Sequence, residues 1–140
     1  MTLEQVPLIS IVDDDESVRE ATKSLLRSLG YKAEAFGSAE EFLESTRIED
    51  TACLITDVQM PGLNGVELQD RLISDGHDMP TIFVSAFPDT RLERRVLESG
   101  AIAYLRKPFK EDHLVEHIDA ALKRPRGRAS RRGGRSNRSN

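Results

Sequence analysis

Five short apolar runs recur along the chain, separated by stretches of helical periodicity. The runs are "LISIV" at 8–12, the weaker "KAEAF" at 32–36, "ACLIT" at 52–56, "PTIFVS" at 80–85 and "AIAYL" at 101–105. Val18, Ala21, Leu25, Leu26 and Leu29 keep helical spacing over 16–29, with Gly30 as the stop. Ser38, Ala39, Glu40 and Glu41 form a capping-box pattern that opens a short helix. Val66, Leu68, Leu72 and Ile73 mark a helix over 66–73 that Gly76 ends. Asp89 caps a helix reaching Glu98, with Gly100 as its stop, and 111–123 is the last helix. Every connection is helix-sized, which requires parallel rather than hairpin pairing. Right-handed crossovers then yield a doubly wound α/β fold, a five-stranded parallel sheet flanked by five helices. Uninterrupted apolar strands fit a sheet covered on both faces.

In such folds ligands bind beyond the C-terminal ends of the strands, and the polar residues of this chain fall there. Asp13, Asp14 and Asp15 follow the first run, Asp57 ends the third, Ser85 ends the fourth, and Lys107 and Pro108 follow the fifth. In "ACLITDVQMPGLNG", residues 52–65, a buried strand ends on a carboxylate, which must be paired, metal-bound or at the ligand edge. Three carboxylates gathered at one edge repel. At ~4 Å and an effective dielectric near 20, each pair costs about 4 kcal/mol. A hard divalent metal and a lysine are the natural partners. Met60, Pro61 and the stretch from Gly62 to Gly65 shape the intervening loop.

Charge divides the chain in two. Residues 123–140 hold eight of the 20 Lys and Arg and no acid, so 1–122 carry 12 basic side chains against all 24 acidic ones, a formal −12. We expect a folded domain over 1–123 and a disordered Arg/Gly/Ser-rich tail over 124–140, since the tail has almost nothing to bury. The tail suits weak, nonspecific contact with nucleic acid, but no aromatic residue interleaves for stacking, and a solvated tail or one folded back on the acidic body is the favoured reading. No helix-turn-helix or catalytic module fits in its 17 residues, so a stand-alone domain is expected. No apolar run approaches the ~20 residues of a membrane helix, and no leader pattern opens the chain. The single cysteine, Cys53, lies in an apolar run and reads as a core thiol in a reducing compartment, so a cytoplasmic location is expected.

Competing motifs are weaker. A calcium loop starting at Asp13 would need Gly where Val18 stands and Glu where Ser24 stands. "HLVEH", from His113 to His117, matches a zinc-protease pattern without a third ligand, so a solvated or packed helix face is expected. His77 sits in a polar turn and reads as exposed. Asp15 is assigned mainly to capping the first long helix. Ser85, Tyr104 and Lys107 would each be unremarkable alone; the edge shared with Asp57 raises all three.

Taken in order, "IVDDDESVR", "LITDVQMPGLNGVEL", "TIFVSA" and "AYLRKPF" resemble the receiver domain of two-component response regulators, over about residues 6–123. The resemblance implies a flavodoxin-like fold with strand order 2-1-3-4-5. It implies that Asp57 is the phosphoacceptor, that Asp13 and Asp14 form the acidic pocket, that Ser85 is the switch hydroxyl, that Lys107 binds phosphate and that Tyr104 is the aromatic switch. Within it, Asp14, Asp57 and the backbone carbonyl of Gln59 are assigned as direct ligands of Mg²⁺ or Mn²⁺, with Asp13 acting through a metal-bound water. Breaking or making the phosphoryl contacts of Lys107 and Ser85 would move the loop after the fourth strand and let Tyr104 swing inward, altering the surface of the fourth helix, fifth strand and fifth helix. It also implies a cis Lys107–Pro108 bond, a histidine kinase or histidine phosphotransfer protein as phosphodonor, an unidentified downstream partner, and a homodimer through the fourth helix, fifth strand and fifth helix. The chain is then a signalling switch, not an enzyme on other substrates, although it promotes its own phosphotransfer and autodephosphorylation. Three alternatives stand beside this. A haloacid-dehalogenase-type hydrolase lacks its second acid at Gln59. A phosphorylation-independent binding module must ignore the acid–serine–lysine set. A fragment of a DNA-binding regulator is suggested by similarity to receivers joined to helix-turn-helix domains.

Overall fold

Residues 6–87 and 89–124 are described by the computed structural model. The expected disordered tail therefore lies, apart from Arg124, outside the described residues. The alternation folds as β1 (Leu8–Val12), α1 (Glu16–Ser28), β2 (Lys32–Phe36), α2 (Ala39–Glu44), β3 (Thr51–Asp57), α3 (Gly65–Ser74), β4 (Thr81–Ser85), α4 (Thr90–Glu98), β5 (Ala103–Arg106) and α5 (Glu111–Lys123). The sheet is parallel throughout, in the order β2-β1-β3-β4-β5. Its register pairs Val12 with Thr56, Asp57 with Val84 and Ser85 with Arg106, so the C-terminal tips of β1, β3, β4 and β5 lie side by side.

Period-two alternation divides the strands between two faces even though the runs are continuously apolar. Ile9, Ile11, Cys53, Ile55, Ile82 and Val84 pack against Leu26 of α1 and Leu114 and Ile118 of α5. On the opposite face Val12 and Leu54 meet Phe42 of α2 and Leu68 and Leu72 of α3. Phe83 and Tyr104 meet Val66 of α3 and Val96 of α4. Cys53 is wholly buried, as its apolar neighbours predict.

The helix ends explain where the boundaries differ from the sequence expectations. Gly100 takes φ +106 and donates to Leu97, while Ala101 donates to Val96. Those two bonds are the closing pair of a Schellman motif. They commit Ala101 to ending α4, so β5 begins at Ala103 instead. The expected capping box at Ser38 is only half formed: Ser38 accepts from Glu41 N–H, but the Glu41 carboxylate accepts from Gly37 N–H. The reciprocal box is at Asn64 and Glu67, with bonds of 2.8 and 2.9 Å. Asp15 caps α1 and Asp89 caps α4, as read from the sequence. Among the described residues no helix is long and apolar enough to cross a membrane.

Candidate functional site

The tips of β1, β3 and β5 build the site. Asp13 follows β1, and its backbone N–H is held by the Phe36 carbonyl at 3.1 Å. Its side chain is turned into the protein, where Oδ1 accepts from Asp15 N–H at 2.9 Å. Asp57 closes β3 and is 7% exposed, with Oδ1 accepting from Gln59 N–H at 3.3 Å. Lys107 follows β5, and its backbone N–H donates to the Ser85 carbonyl at 2.7 Å. From there Nζ reaches both buried acids, at 2.9 Å from Asp13 Oδ2 and 3.2 Å from Asp57 Oδ2. Asp14 is exposed at the mouth. One carboxylate oxygen from each of Asp13, Asp14 and Asp57 lies within 4.8 Å of the others.

Two close approaches set the shape of the β3–α3 loop. Gly65 N–H donates to Val58 O at 2.9 Å, so α3 begins directly against the end of β3. A Cβ at Gly65 would collide with the Asp57 carbonyl oxygen. At the far side of the loop, Leu63 N–H donates to the Glu40 carboxylate of α2 at 2.9 Å.

Electrostatics in the pit are unbalanced. Burial raises the Asp57 pKa above its ordinary value; Lys107 opposes that rise and Asp13 adds to it. Burial alone would lower Lys107, but its hydrogen bond to Asp13 and the charges of both acids outweigh it, and its pKa is raised. One ammonium thus contacts two of the three carboxylates. The charge excess and the all-oxygen donor set fit a hard divalent cation such as Mg²⁺ or Mn²⁺.

The structure brings Asp13, Asp14, Asp57 and Lys107 together, with Gln59 N–H bonded to Asp57, while the Ser85 and Tyr104 side chains have other neighbours. The Ser85 hydroxyl donates to Phe87 O at 3.0 Å and accepts from Phe87 N–H at 3.1 Å, so it is occupied by the β4–α4 turn. Tyr104 is buried, packed among Val58, Val66, Phe83 and Val96. Its hydroxyl has no hydrogen-bond partner among the described residues. Gln59 has an exposed side chain beside Asp57. His113 is exposed and His117 half-buried on α5, and neither joins a metal-capable cluster among the described residues. His77 is half-buried rather than exposed, its backbone N–H closing α3 onto Leu72 O. Two residues escaped the sequence reading: Arg19, whose Nη1 donates to Asp13 O at 2.9 Å, and Glu40. Glu40 and Leu63 lie far apart in sequence, so no local pattern marks their contact.

Fold and site define a doubly wound α/β protein with an acid-and-lysine pocket at its strand tips. The family model for the response regulator receiver domain matches residues 9–119. Nodulation protein W of Bradyrhizobium diazoefficiens is 38% identical over 121 residues, covering 86% of this chain and 53% of its own. Response regulator protein TodT of Pseudomonas putida is 39% identical over 120 residues, with coverage of 86% and 53%. Among solved structures, response regulator StyR matches with a TM-score of 0.79 at 42% identity, covering 84% of this chain and 59% of that one. FixJ-N matches with a TM-score of 0.77 at 30% identity, covering 86% and 97%. The chain belongs to the response regulator receiver domain family and is a receiver domain of two-component response regulators. It spans about half the length of the curated relatives it matches.

Proposed function

We propose that this receiver takes a phosphoryl group on Asp57 from a phosphohistidine of a sensor kinase or histidine phosphotransfer protein. The observation that carries the proposal is the double contact of Lys107 Nζ with Asp13 and Asp57 at the mouth of a buried acidic pit. Asp57 is the nucleophile. Its ionised carboxylate, which the Lys107 charge favours against burial, needs no general base, only placement and charge neutralisation. An Asp57 oxygen forms the new O–P bond while the P–N bond breaks, and the departing imidazole nitrogen takes up a proton. Asp13, Asp14, Asp57 and the Gln59 carbonyl are the groups that would hold a divalent cation. That ion supplies charge neutralisation for the phosphoryl oxygens when bound. Lys107 then exchanges its Asp57 contact for a phosphoryl oxygen, and the Ser85 hydroxyl leaves Phe87 to donate to another. That exchange pulls on the β4–α4 turn and alters the surface of α4, β5 and α5, which is offered to a downstream partner or to a second copy of the chain. The receiver domain spans 1–123, and it works in the cytoplasm.

The test is incubation with acetyl phosphate and Mg²⁺, read by intact mass. The expected result is one adduct of about +80 Da, the mass of HPO₃, lost in Asp57→Asn. Either no adduct with any donor, or an adduct retained in Asp57→Asn, removes the reading. Multiple turnover of an organic phosphate would point to a hydrolase instead.

A further inference from the structure

Helix α4 is tied unevenly. Two polar links reach its C-terminal half from outside the helix, and a third reaches Gly100, two residues past its last turn. Arg95 Nη2 pairs with Asp70 of α3 at 2.8 Å, Gln69 Nε2 of α3 donates to Val96 O at 3.4 Å, and Arg124 Nη1 donates to Gly100 O at 3.4 Å. Ahead of them stands the Glu93–Arg106 pair at 3.6 Å, no more exposed than the Arg95–Asp70 pair. Arg124 is the residue that caps the end of α5, and its Nη2 also grips Asp78, at 3.3 Å from the carbonyl and 3.2 Å from Oδ1. Gln69 and Arg124 line one small cavity of about 90 Å³, with Leu72, Thr81, Ser99 and Gly100.

Gln69 is the unusual member. It is 5% exposed, and its Oε1 has no hydrogen-bond partner among the described residues. A buried amide with an unmet acceptor is costly, and an apolar side chain of like size would fit such a place at less cost. The link to Val96 is what the amide supplies and an apolar residue cannot.

We propose that Gln69 and Arg124 form a pin at the C-terminal end of α4, so that the switching motion of this helix is a pivot about 96–100 that carries its N-terminal half. Because Arg124 ends α5, the same pin couples the tilt of α4 to the direction in which the chain leaves the domain. The pivot rests on the proposed phosphorylation of Asp57, but the pin exists in the resting protein and is tested there separately.

Amide hydrogen exchange of the full chain, with and without beryllofluoride and Mg²⁺, decides it. In the unmodified sequence the phosphoryl mimic should change exchange over 89–94 and leave 97–102 protected. Arg124→Ala should speed exchange over 97–102 about tenfold in both states and spread the mimic's effect along the whole helix. Arg124→Lys, which keeps a charge beside Asp78 but loses the fork, should fall between. Gln69→Leu should raise Tm while loosening 97–101, a pairing that mere packing would not produce. Exchange over 97–102 within twofold of the unmodified chain in Arg124→Ala and Gln69→Leu overturns the pin. A mimic-induced change spread evenly along α4 in the unmodified chain overturns the pivot. If the mimic changes nothing anywhere and no adduct forms, the phosphorylation reading fails, while the resting-state comparison still decides the pin.

Discussion

Lys107 carries a disproportionate share of the site's stability. Its amine is the cation that touches both Asp13 and Asp57, whose side chains are 3% and 10% exposed. Removing one partner of a buried ionic set leaves uncompensated charge and typically costs 3–5 kcal/mol. Lys107→Ala is therefore expected to lose about 3 kcal/mol in urea unfolding with EDTA present, and a loss below about 1 kcal/mol would mean the pair is not formed in solution. Asp57 works in the opposite direction. Its folded pKa is raised above 3.8, so the native state binds the proton more tightly than the unfolded chain does. Stability is then lost as pH climbs from about 4 through the raised value. Asp57→Asn removes that penalty and leaves Lys107 bonded to Asp13. In metal-free buffer at pH 7 its Tm should exceed that of the unmodified protein. The difference should close near pH 4, and melts across that range check it. At this scale the four convergent residues were legible in the sequence because each sits at a strand tip, and topology alone brings tips together. The Ser85 and Tyr104 placements were not legible. The hydroxyl's partner depends on the turn at Phe87, and the ring's position depends on how α4 lies over Phe83.

Among the elements, the loop between β3 and α3 couples stability to the site most directly. Asn64 and Gly65 are adjacent, yet they do different work. Asn64 satisfies the first turn of α3 through its reciprocal box with Glu67. Gly65 lets that turn sit against the Asp57 carbonyl. Asn64→Ala should cost about 1 kcal/mol and leave phosphorylation nearly unchanged. Gly65→Ala must push the Asp57 backbone aside, at about 1–3 kcal/mol. It should also slow adduct formation by roughly tenfold or more, because small displacements of a nucleophile are costly in rate. Urea melts and the rate of adduct accumulation from acetyl phosphate separate the two variants. Equal rates for both would show that the close approach does not position Asp57. The capping pattern itself illustrates the limit of local reading. Ser38 to Glu41 and Asn64 to Glu67 share one spacing, and only the second closes. The Glu41 carboxylate finds Gly37 N–H instead, a choice made by the path of the chain leaving β2.

The whole molecule was legible as a parallel α/β sheet because helix-sized connections forbid most alternatives, and the contiguous apolar strands already announced two covered faces. What the pattern could not supply was contact between distant loops, such as Glu40 with Leu63 or Arg124 with Asp78. A molecule-wide property also complicates any reading of metal binding. Residues 1–122 carry a formal −12, so any cation will stabilise the fold somewhat by screening self-repulsion. Screening by salt is generic: at 1 M ionic strength the Debye length is about 3 Å, and NaCl achieves it as well as MgCl₂. A site is different, since its stabilisation follows RT ln(1 + [L]/Kd), near 2.7 kcal/mol when the free ion is at about 100 times Kd. In 0.5 M NaCl, where generic repulsion is already suppressed, millimolar Mg²⁺ should still raise Tm, and the rise should fall sharply in Asp57→Asn and Asp14→Asn. A Mg²⁺ response that disappears at high NaCl, or persists equally in both variants, would assign the ion to the acidic surface at large and take it away from the pit.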